Sequence, residues 1–188
     1  MTLPTALVSG APEDVASRAD REARCYRFLD GAGIPYMRMD HPPAETMEIC
    51  RMLDERLDAV ICKNLFLCNR QETAFYLLMM PGNKPFHTRL LSKALGVSRL
   101  SFAKEEAMVK YLDLYPGSVS ILGLMNDREN AVRLVADRDL LKYDHIGCHP
   151  CVNTSSLRLS RDDMFLRLPA LLKHPVSWVE MPRDADDA

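Results

Sequence analysis

Two apolar runs dominate the middle of the chain. Residues 59–68 and 74–80 are dense in aliphatic and aromatic side chains, and the polar stretch 69–73 separates them before Pro81 and Gly82. Short apolar runs bounded by turn residues are typical of buried strands, and five polar residues suffice for a hairpin connection. The pattern predicts two adjacent core strands, Ala59–Cys68 and Ala74–Met80.

Apolar residues recur at helical spacing in segments on both sides of this pair. Gly96 is expected to end the third of these helices, and Ser101 to cap the fourth. The predicted helices are Ser17–Leu29, Glu45–Leu57, Thr88–Leu95, Ala103–Leu114 and Arg161–Lys173.

Short strand candidates fill most of the remaining chain: Tyr36–Asp40, Ser118–Leu122, Ala131–Ala136, Ile146–Cys148, Ser155–Leu159 and Val176–Met181. Strands in small groups, interleaved irregularly with helices, are not typical of successive βαβ units. We therefore expect an α/β fold with a mixed curved sheet or open barrel flanked by helices. Residues 1–188 should form a single domain with loose termini at about 1–12 and 183–188.

Composition narrows the class of protein. A chain of 188 residues, 47% of them hydrophobic, can bury the core of one domain. No uncharged apolar run of membrane-spanning length occurs, and the first residues lack a signal-peptide pattern, so we expect a cytoplasmic protein without a membrane partner. The net charge of −2 gives no indication of DNA binding and would confine any RNA contact to a local basic patch. The six cysteines are expected to be reduced thiols.

Lys63 and Asn64 interrupt the first apolar run. A charged amine in a buried strand is costly unless it reaches a cavity or an anionic partner. Either Lys63 extends to solvent at a strand edge, or its ammonium lies at the mouth of a pocket.

Two loops carry further candidate chemistry. Gly117 and Gly123 bracket small and apolar residues, so their backbone N–H groups could approach a ligand and stabilise an oxyanion, although an ordinary turn would have the same pattern. Residues 147–154 concentrate thiol, imidazole, amide and hydroxyl groups. Cys148 and Cys151 have the spacing of a zinc half-site or redox pair, but no second ligand pair follows and the next segment is predicted to be extended. A thiol or zinc protein stays an alternative.

At these segments the sequence resembles the YbaK and prolyl-tRNA synthetase editing-domain superfamily, and within it the freestanding ProX or PrdX-like prolyl-tRNA deacylases. The resemblance runs from about Asp20 to Met181. The stretches that carry it are Cys62–Leu67, Phe75–Met80, Leu91–Gly96, Pro116–Leu124 and His149–Thr154. Cys151 and Val152 differ from the residues expected in many relatives, so the resemblance does not fix the size of the pocket.

The resemblance implies a hydrolase that deacylates mischarged tRNA(Pro), with alanine as the expected amino acid, and that needs no metal or cofactor. It implies catalytic roles for Lys63, Asn64 and His149. The implied substrate-binding residues are Gly117, Ser118, Ser120, Gly123, Leu124, Asn153, Thr154 and Met79, with Leu122 as a further wall residue. An aminoacyl ester is already activated, so an oriented water and the ribose 2′-OH suffice without a protein nucleophile.

Other functions fit the same residues. The enzyme could instead remove cysteine from tRNA(Pro), or a catalytically silent relative could bind tRNA or an amino acid as a regulator. The expected partner is the tRNA acceptor end, with transient association with prolyl-tRNA synthetase and a monomeric state. Phosphate contacts are expected from Arg89, Lys93, Arg99 and Lys104.

Overall fold

The computed structural model describes residues 6–43, 52–53 and 55–182. Its strands are β1 (Val8–Ser9), β2 (Met37–Asp40), β3 (Val60–Asn69), β4 (Phe75–Pro81), β5 (Leu100–Phe102), β6 (Val132–Asp137), β7 (His145–Cys148), β8 (Ser155–Ser160) and β9 (Ser177–Val179). Its α-helices are α1 (Asp20–Gly31), α2 (Thr88–Leu95), α3 (Glu105–Leu112) and α4 (Leu168–Leu172). Short 3-10 helices cover Val15–Ser17, Ile121–Asn126 and Arg138–Lys142, and a π-helical turn, Asp163–Arg167, precedes α4.

The strands form one mixed sheet, as predicted. Their order is β1-β2-β8-β7-β3-β4-β6-β9, and β5 adds to β3 beside this path. The pairs β3–β7, β4–β6 and β6–β9 are parallel, whereas the other pairs are antiparallel. Strand β3 lies at the centre of the sheet and carries Lys63 and Asn64.

Helices cover both faces of the sheet. Alternate residues of β3 face opposite sides and therefore belong to two different cores. Phe66 and Cys68 belong to the main core, which also contains Tyr26 of α1 and Leu112 of α3. Leu67 belongs to a second core on the other face. There it packs with residues of β4 and with Leu91 of α2.

Most predicted elements are confirmed. The observed β3 and β4 each lie within a residue of the prediction, and α2 has the predicted bounds. Gly96 ends α2 in the left-handed conformation, as expected. The predicted helix over 45–57 falls largely on residues 44–51 and 54, which lie outside the described residues; residues 52–53 and 55–57 are helical.

Two local predictions are wrong. The predicted strand over 118–122 is a loop that leads into the 3-10 helix Ile121–Asn126, which Ser120 caps by accepting a hydrogen bond from the Leu122 amide. Ser101 does not cap α3 because it pairs with Cys68 as part of β5, and Lys104 occupies the cap position instead.

Part of the expected loose N-terminus is ordered by the sheet, since Val8 and Ser9 pair with Arg38 and Met37. Residues 1–5 and 183–188 lie outside the described residues. Of the helices in the described ranges, none has both the length and the apolar character needed to cross a bilayer.

Candidate functional site

One edge of β3 changes partner along its length. Strand β7 pairs with Val60 and Ile61, and β5 pairs with residues 67–69, while β4 follows the opposite edge throughout. Within the described part of the chain, no strand pairs with residues 63–65 on the β7–β5 edge, and the Phe66 carbonyl accepts from the Ala103 amide just beyond β5. We call this opening the β3 gap. It is an interruption in the sheet at the position of Lys63 and Asn64.

The Lys63 side chain is half-buried on the face of the second core. Its Nζ donates a hydrogen bond to the carbonyl oxygen of Lys84 at 2.9 Å. Lys84 is itself buried, and its ammonium lies 2.7 Å from Asp137 Oδ2 and 3.0 Å from Asp139 Oδ2. The loop that holds the Lys63 ammonium is therefore anchored by a buried ion pair.

Asn64 follows Lys63 in β3 and consequently faces the main core. Its Nδ2 donates to the Val119 carbonyl at 3.0 Å, whereas its buried Oδ1 has no hydrogen-bond partner among the described residues. Asn64 therefore ties residues 117–123, the glycine loop, to the strand. The side chains of Lys63 and Asn64, the two predicted catalytic neighbours, lie on opposite faces of the sheet.

The glycine loop is closely packed against its surroundings. Gly117 has a φ of +87°, and a Cβ there would lie 3.9 Å from Asn153 Nδ2. A Cβ on Gly123 would lie 2.7 Å from Leu114 Cδ1, so only glycine fits without movement. Ser118 and Ser120 are buried, and their hydroxyl groups bond to the Tyr115 carbonyl and the Leu122 amide. Through Gly117 the loop lies beside Asn153 of residues 149–154, the histidine loop.

His149 begins the histidine loop directly after β7. Its Nδ1 lies 2.9 Å from the Ser155 carbonyl, which can only accept, so Nδ1 carries the proton and Nε2 has the free lone pair. Burial lowers the pKa of His149, outweighing the hydrogen bond to Ser155. The imidazole is therefore held neutral with an acceptor nitrogen.

A second histidine, which the sequence pattern did not single out, supports the first. The rings of His41 and His149 are 6.1 Å apart. His41 Nδ1 bonds to the Pro42 carbonyl at 2.7 Å, which leaves Nε2 to accept from Ser156 Oγ at 2.9 Å. Burial also lowers the pKa of His41. The sequence shows only a histidine before a proline pair, directly after the predicted strand Tyr36–Asp40.

The register of the parallel strands β3 and β7 relates the position of Lys63 to the histidine loop. Val60 pairs with Ile146 and Ile61 with Gly147, so continuing the register by two residues sets Lys63 level with His149. Asn153, half-buried, reaches Gly117 from the same loop, whereas Thr154 is exposed and its carbonyl accepts from the His41 amide. The β3 gap is thus bordered by Lys63, Asn64, the glycine loop and the histidine loop.

Three of the predicted pocket-wall residues have their side chains in the main core. Met79 of β4 pairs with Asn64, and its side chain is fully buried. Leu122 lies in the glycine loop, Leu124 follows it, and both are buried in the same core. In this structure these side chains fill the interior beneath the gap.

The cysteines near the site are packed as thiols. Cys25, Cys68, Cys148 and Cys151 form no disulfide bond. Cys25 Sγ lies 3.3 Å from Cys151 Sγ, and burial raises the pKa of Cys148 to about 12. Among the residues that the structure describes, no group of three or more His, Cys, Asp and Glu side chains is placed to hold a metal. The arrangement does not favour thiolate chemistry at neutral pH.

One opening of the fold lies away from these residues. A cavity of about 790 Å³ lies at the other end of β4, between Phe75, Val132 and Pro175. It contains none of the predicted site residues.

Comparison with known proteins identifies the class. Residues 41–165 match the family described as the aminoacyl-tRNA editing domain, which is well over half of the chain. The chain belongs to this family. The predicted class of enzyme, an aminoacyl-tRNA deacylase, is confirmed at that level.

Individual relatives agree with the family. The prolyl-tRNA editing protein ProX of Acetoanaerobium sticklandii is 33% identical over 137 residues, which cover 72% of this chain and 83% of the relative. The prolyl-tRNA synthetase associated domain-containing protein 1 of Danio rerio is 29% identical, with coverage of 90% and 92%. A solved structure described as a candidate trans-editing enzyme for prolyl tRNA synthetase has a TM-score of 0.64 at 16% identity, covering 88% of this chain and 99% of its own. The last comparison supports the fold.

Proposed function

We propose that the protein hydrolyses the ester of mischarged tRNA(Pro), and that alanine is the amino acid it removes. The observation that supports the proposal is the β3 gap itself, where β3 presents the Lys63 ammonium on one face and binds the glycine loop through Asn64 on the other, next to the end of β7 that His149 follows. The names of the relatives, which refer to prolyl-tRNA editing and to prolyl-tRNA synthetase, support proline tRNA as the carrier.

In this proposal Lys63 binds the terminal nucleotide and orients the ester. An ammonium is a compact cation that suits a phosphate or a carbonyl oxygen. Its carbonyl partner on Lys84 holds it without neutralising its charge, so the positive charge stays available to an anionic ligand. Loss of this side chain should therefore affect binding and orientation together.

His149 provides a hydrogen-bond acceptor next to the ester. The Nε2 lone pair can accept a proton from the attacking water or from the ribose 2′-OH, because Nδ1–H is fixed on the Ser155 carbonyl. Backbone N–H groups of the glycine loop supply the polarisation of the carbonyl oxygen. Asn64 acts indirectly in this scheme, by holding Val119 in place.

Water, rather than a protein side chain, is the nucleophile in this scheme. The hydroxyls of Ser118 and Ser120 are engaged within the glycine loop, and the Cys148 thiol is protonated at neutral pH. The ester is reactive enough for an oriented water, so positioning and electrostatics carry the rate enhancement. Selectivity for alanine over proline would then come from a pocket too small for the pyrrolidine ring.

The test is deacylation of alanyl-, cysteinyl- and prolyl-tRNA(Pro) by the wild-type protein and by Lys63→Ala. Lys110→Ala, which removes an exposed lysine of α3, is the matched control. We expect rapid loss of alanine alone, abolished by Lys63→Ala and unaffected by Lys110→Ala. Loss of cysteine instead would keep the reaction and change the substrate, and no loss from any of the three would contradict catalysis.

A further inference from the structure

One segment of the chain differs from the rest in charge. Residues 73–104 contain five of the 24 Lys and Arg residues, whereas all 26 Asp and Glu lie outside it. The five are Lys84, Arg89, Lys93, Arg99 and Lys104. Two of the five are paired: Lys84 is buried with Asp137 and Asp139, and Lys104 pairs with Glu72. The other three, Arg89, Lys93 and Arg99, are exposed. A local basic region in a chain of net charge −2 is the footprint expected for a polyanionic partner.

The same segment presents an exposed aromatic pair. Phe102 of β5 is 59% exposed, and its ring lies 5.9 Å from that of Phe86 in an edge-to-face arrangement. Phe86 packs against the second core, so it supports Phe102 from below. A large aromatic ring left open to solvent on a rigid base can bind another planar group.

Strand register places this pair on the Lys63 side of the sheet. Phe102 is directly opposite Leu67, and Leu67, Leu65 and Lys63 are alternate residues of β3 that share one face. The four residue steps from Lys63 to Leu67 span about 13 Å. Phe86 also follows Lys84, whose carbonyl holds the Lys63 ammonium, by only two residues. Phe102 and Lys63 therefore lie towards opposite ends of the β3 gap, on the same face of the sheet.

We propose that Phe102, supported by Phe86, is a stacking site for an unpaired nucleobase of the RNA whose 3′ end enters the β3 gap. This inference rests on the proposed function and adds a binding residue to it. Stacking on an aromatic ring needs no particular base and suits a single-stranded end, while neighbouring arginines and lysines bind its phosphates. The exposed Arg89, Lys93 and Arg99 of the same segment favour RNA over an apolar protein partner at this surface.

The experiment measures binding without the reaction. An uncharged acceptor-stem hairpin RNA with an unpaired 3′ end is titrated by fluorescence anisotropy, beside a set in which each unpaired base in turn is replaced by an abasic site. The proteins are the wild type, Phe102→Ala, Phe102→Trp and Leu166→Ala. Leu166, 65% exposed on the π-helical turn, is the matched control for loss of an exposed apolar side chain.

We expect one abasic position to weaken binding to the wild type about tenfold. Phe102→Ala should weaken binding of the intact RNA to a similar extent and remove the difference between the two RNAs. Phe102→Trp should keep that difference, and Leu166→Ala should behave as the wild type.

The proposal is overturned if the wild type does not bind the hairpin, or if Phe102→Ala leaves its preference for the intact base unchanged. Equal weakening of intact and all abasic RNAs would also contradict stacking. Because the RNA carries no amino acid, failure of deacylation would not alter this readout. Conversely, Lys63-dependent deacylation without a Phe102 effect would retain the proposed function and reject the stacking site.

Discussion

His41 and His149 are both held in their neutral forms by burial, and both use Nδ1 to donate to a backbone carbonyl. Their pKa values are lowered from about 6.5. Between the lowered values and 6.5, the unfolded chain binds more protons than the native protein, so acid favours unfolding. The two side chains therefore link the stability of the site to pH.

We predict that the free energy of unfolding, measured with urea, falls as pH is lowered from 7.5 towards 5. The variant His41→Asn/His149→Asn should show a smaller dependence over this range. Burial raises the pKa of Asp40, but Arg18 and Arg38 outweigh it and hold that pKa well below its usual range, so Asp40 contributes only at lower pH. An unchanged slope in the double variant would contradict the neutral assignment.

Lys63 and Asn64 are adjacent in sequence but differ in what they contact. Asn64→Ala removes the donor of a part-buried hydrogen bond to the Val119 carbonyl and should lower the free energy of unfolding by about 1–3 kcal/mol. Lys63→Ala removes a half-buried side chain from the gap and should change stability by less than about 1 kcal/mol, using the usual range for such sites. Urea unfolding of both variants beside their deacylation rates separates the two roles. Equal loss of stability in both would contradict the opposite-face assignment.

At the level of elements, sequence patterns were sufficient where a segment presents a continuous apolar face. The strands β3 and β4 and the helix α2 follow from local pattern alone, because each buries a continuous face. The pattern of residues 118–122 resembles a strand just as well. Two contacts distinguish this segment from a strand. Asn64, which is distant along the chain, binds the Val119 carbonyl, and Ser120 accepts from the Leu122 amide at the start of a 3-10 helix.

The candidate site was predictable to the extent that it broke a local pattern. Lys63 and Asn64 stand out within an apolar run, and the histidine loop stands out by its density of functional groups. His41 does not stand out, because its partner Ser156 is 115 positions away along the chain. The β3 gap arises from where β5 and β7 end, which no single segment encodes.

The glycine loop should tolerate little added volume at its C-terminal end. Gly123→Ala places a methyl group 2.7 Å from Leu114 Cδ1 and 3.2 Å from the Leu112 carbonyl oxygen. We predict a loss of about 1–3 kcal/mol in the free energy of unfolding, as expected for overpacking. Gly31→Ala is the matched control, since a Cβ there meets nothing within 4 Å at the end of α1. A Gly123→Ala protein as stable as this control would show that the loop can shift.

On the scale of the whole molecule, a buried ion pair joins the site to the far part of the sheet. Lys84 follows β4, while Asp137 ends β6 and starts the 3-10 helix Arg138–Lys142 by accepting from the Asp139 amide. Lys84 and Asp137 are 6% and 1% exposed. The Lys84 carbonyl in turn holds Lys63. The position of the predicted catalytic ammonium thus depends on contacts made by β6.

Removing only one member of this pair leaves a buried charge, which typically costs about 3–5 kcal/mol. We therefore predict that Lys84→Met lowers the free energy of unfolding by that amount, and that Lys84→Met/Asp137→Asn recovers part of the loss, because the amide can still accept from Asp139. Both proteins should deacylate more slowly than the wild type at temperatures where they are folded, since the loop carbonyl that holds Lys63 is released. A double variant no more stable than Lys84→Met would mean that the two side chains contribute independently. Full activity in folded Lys84→Met would mean that Lys63 finds its position without the ion pair.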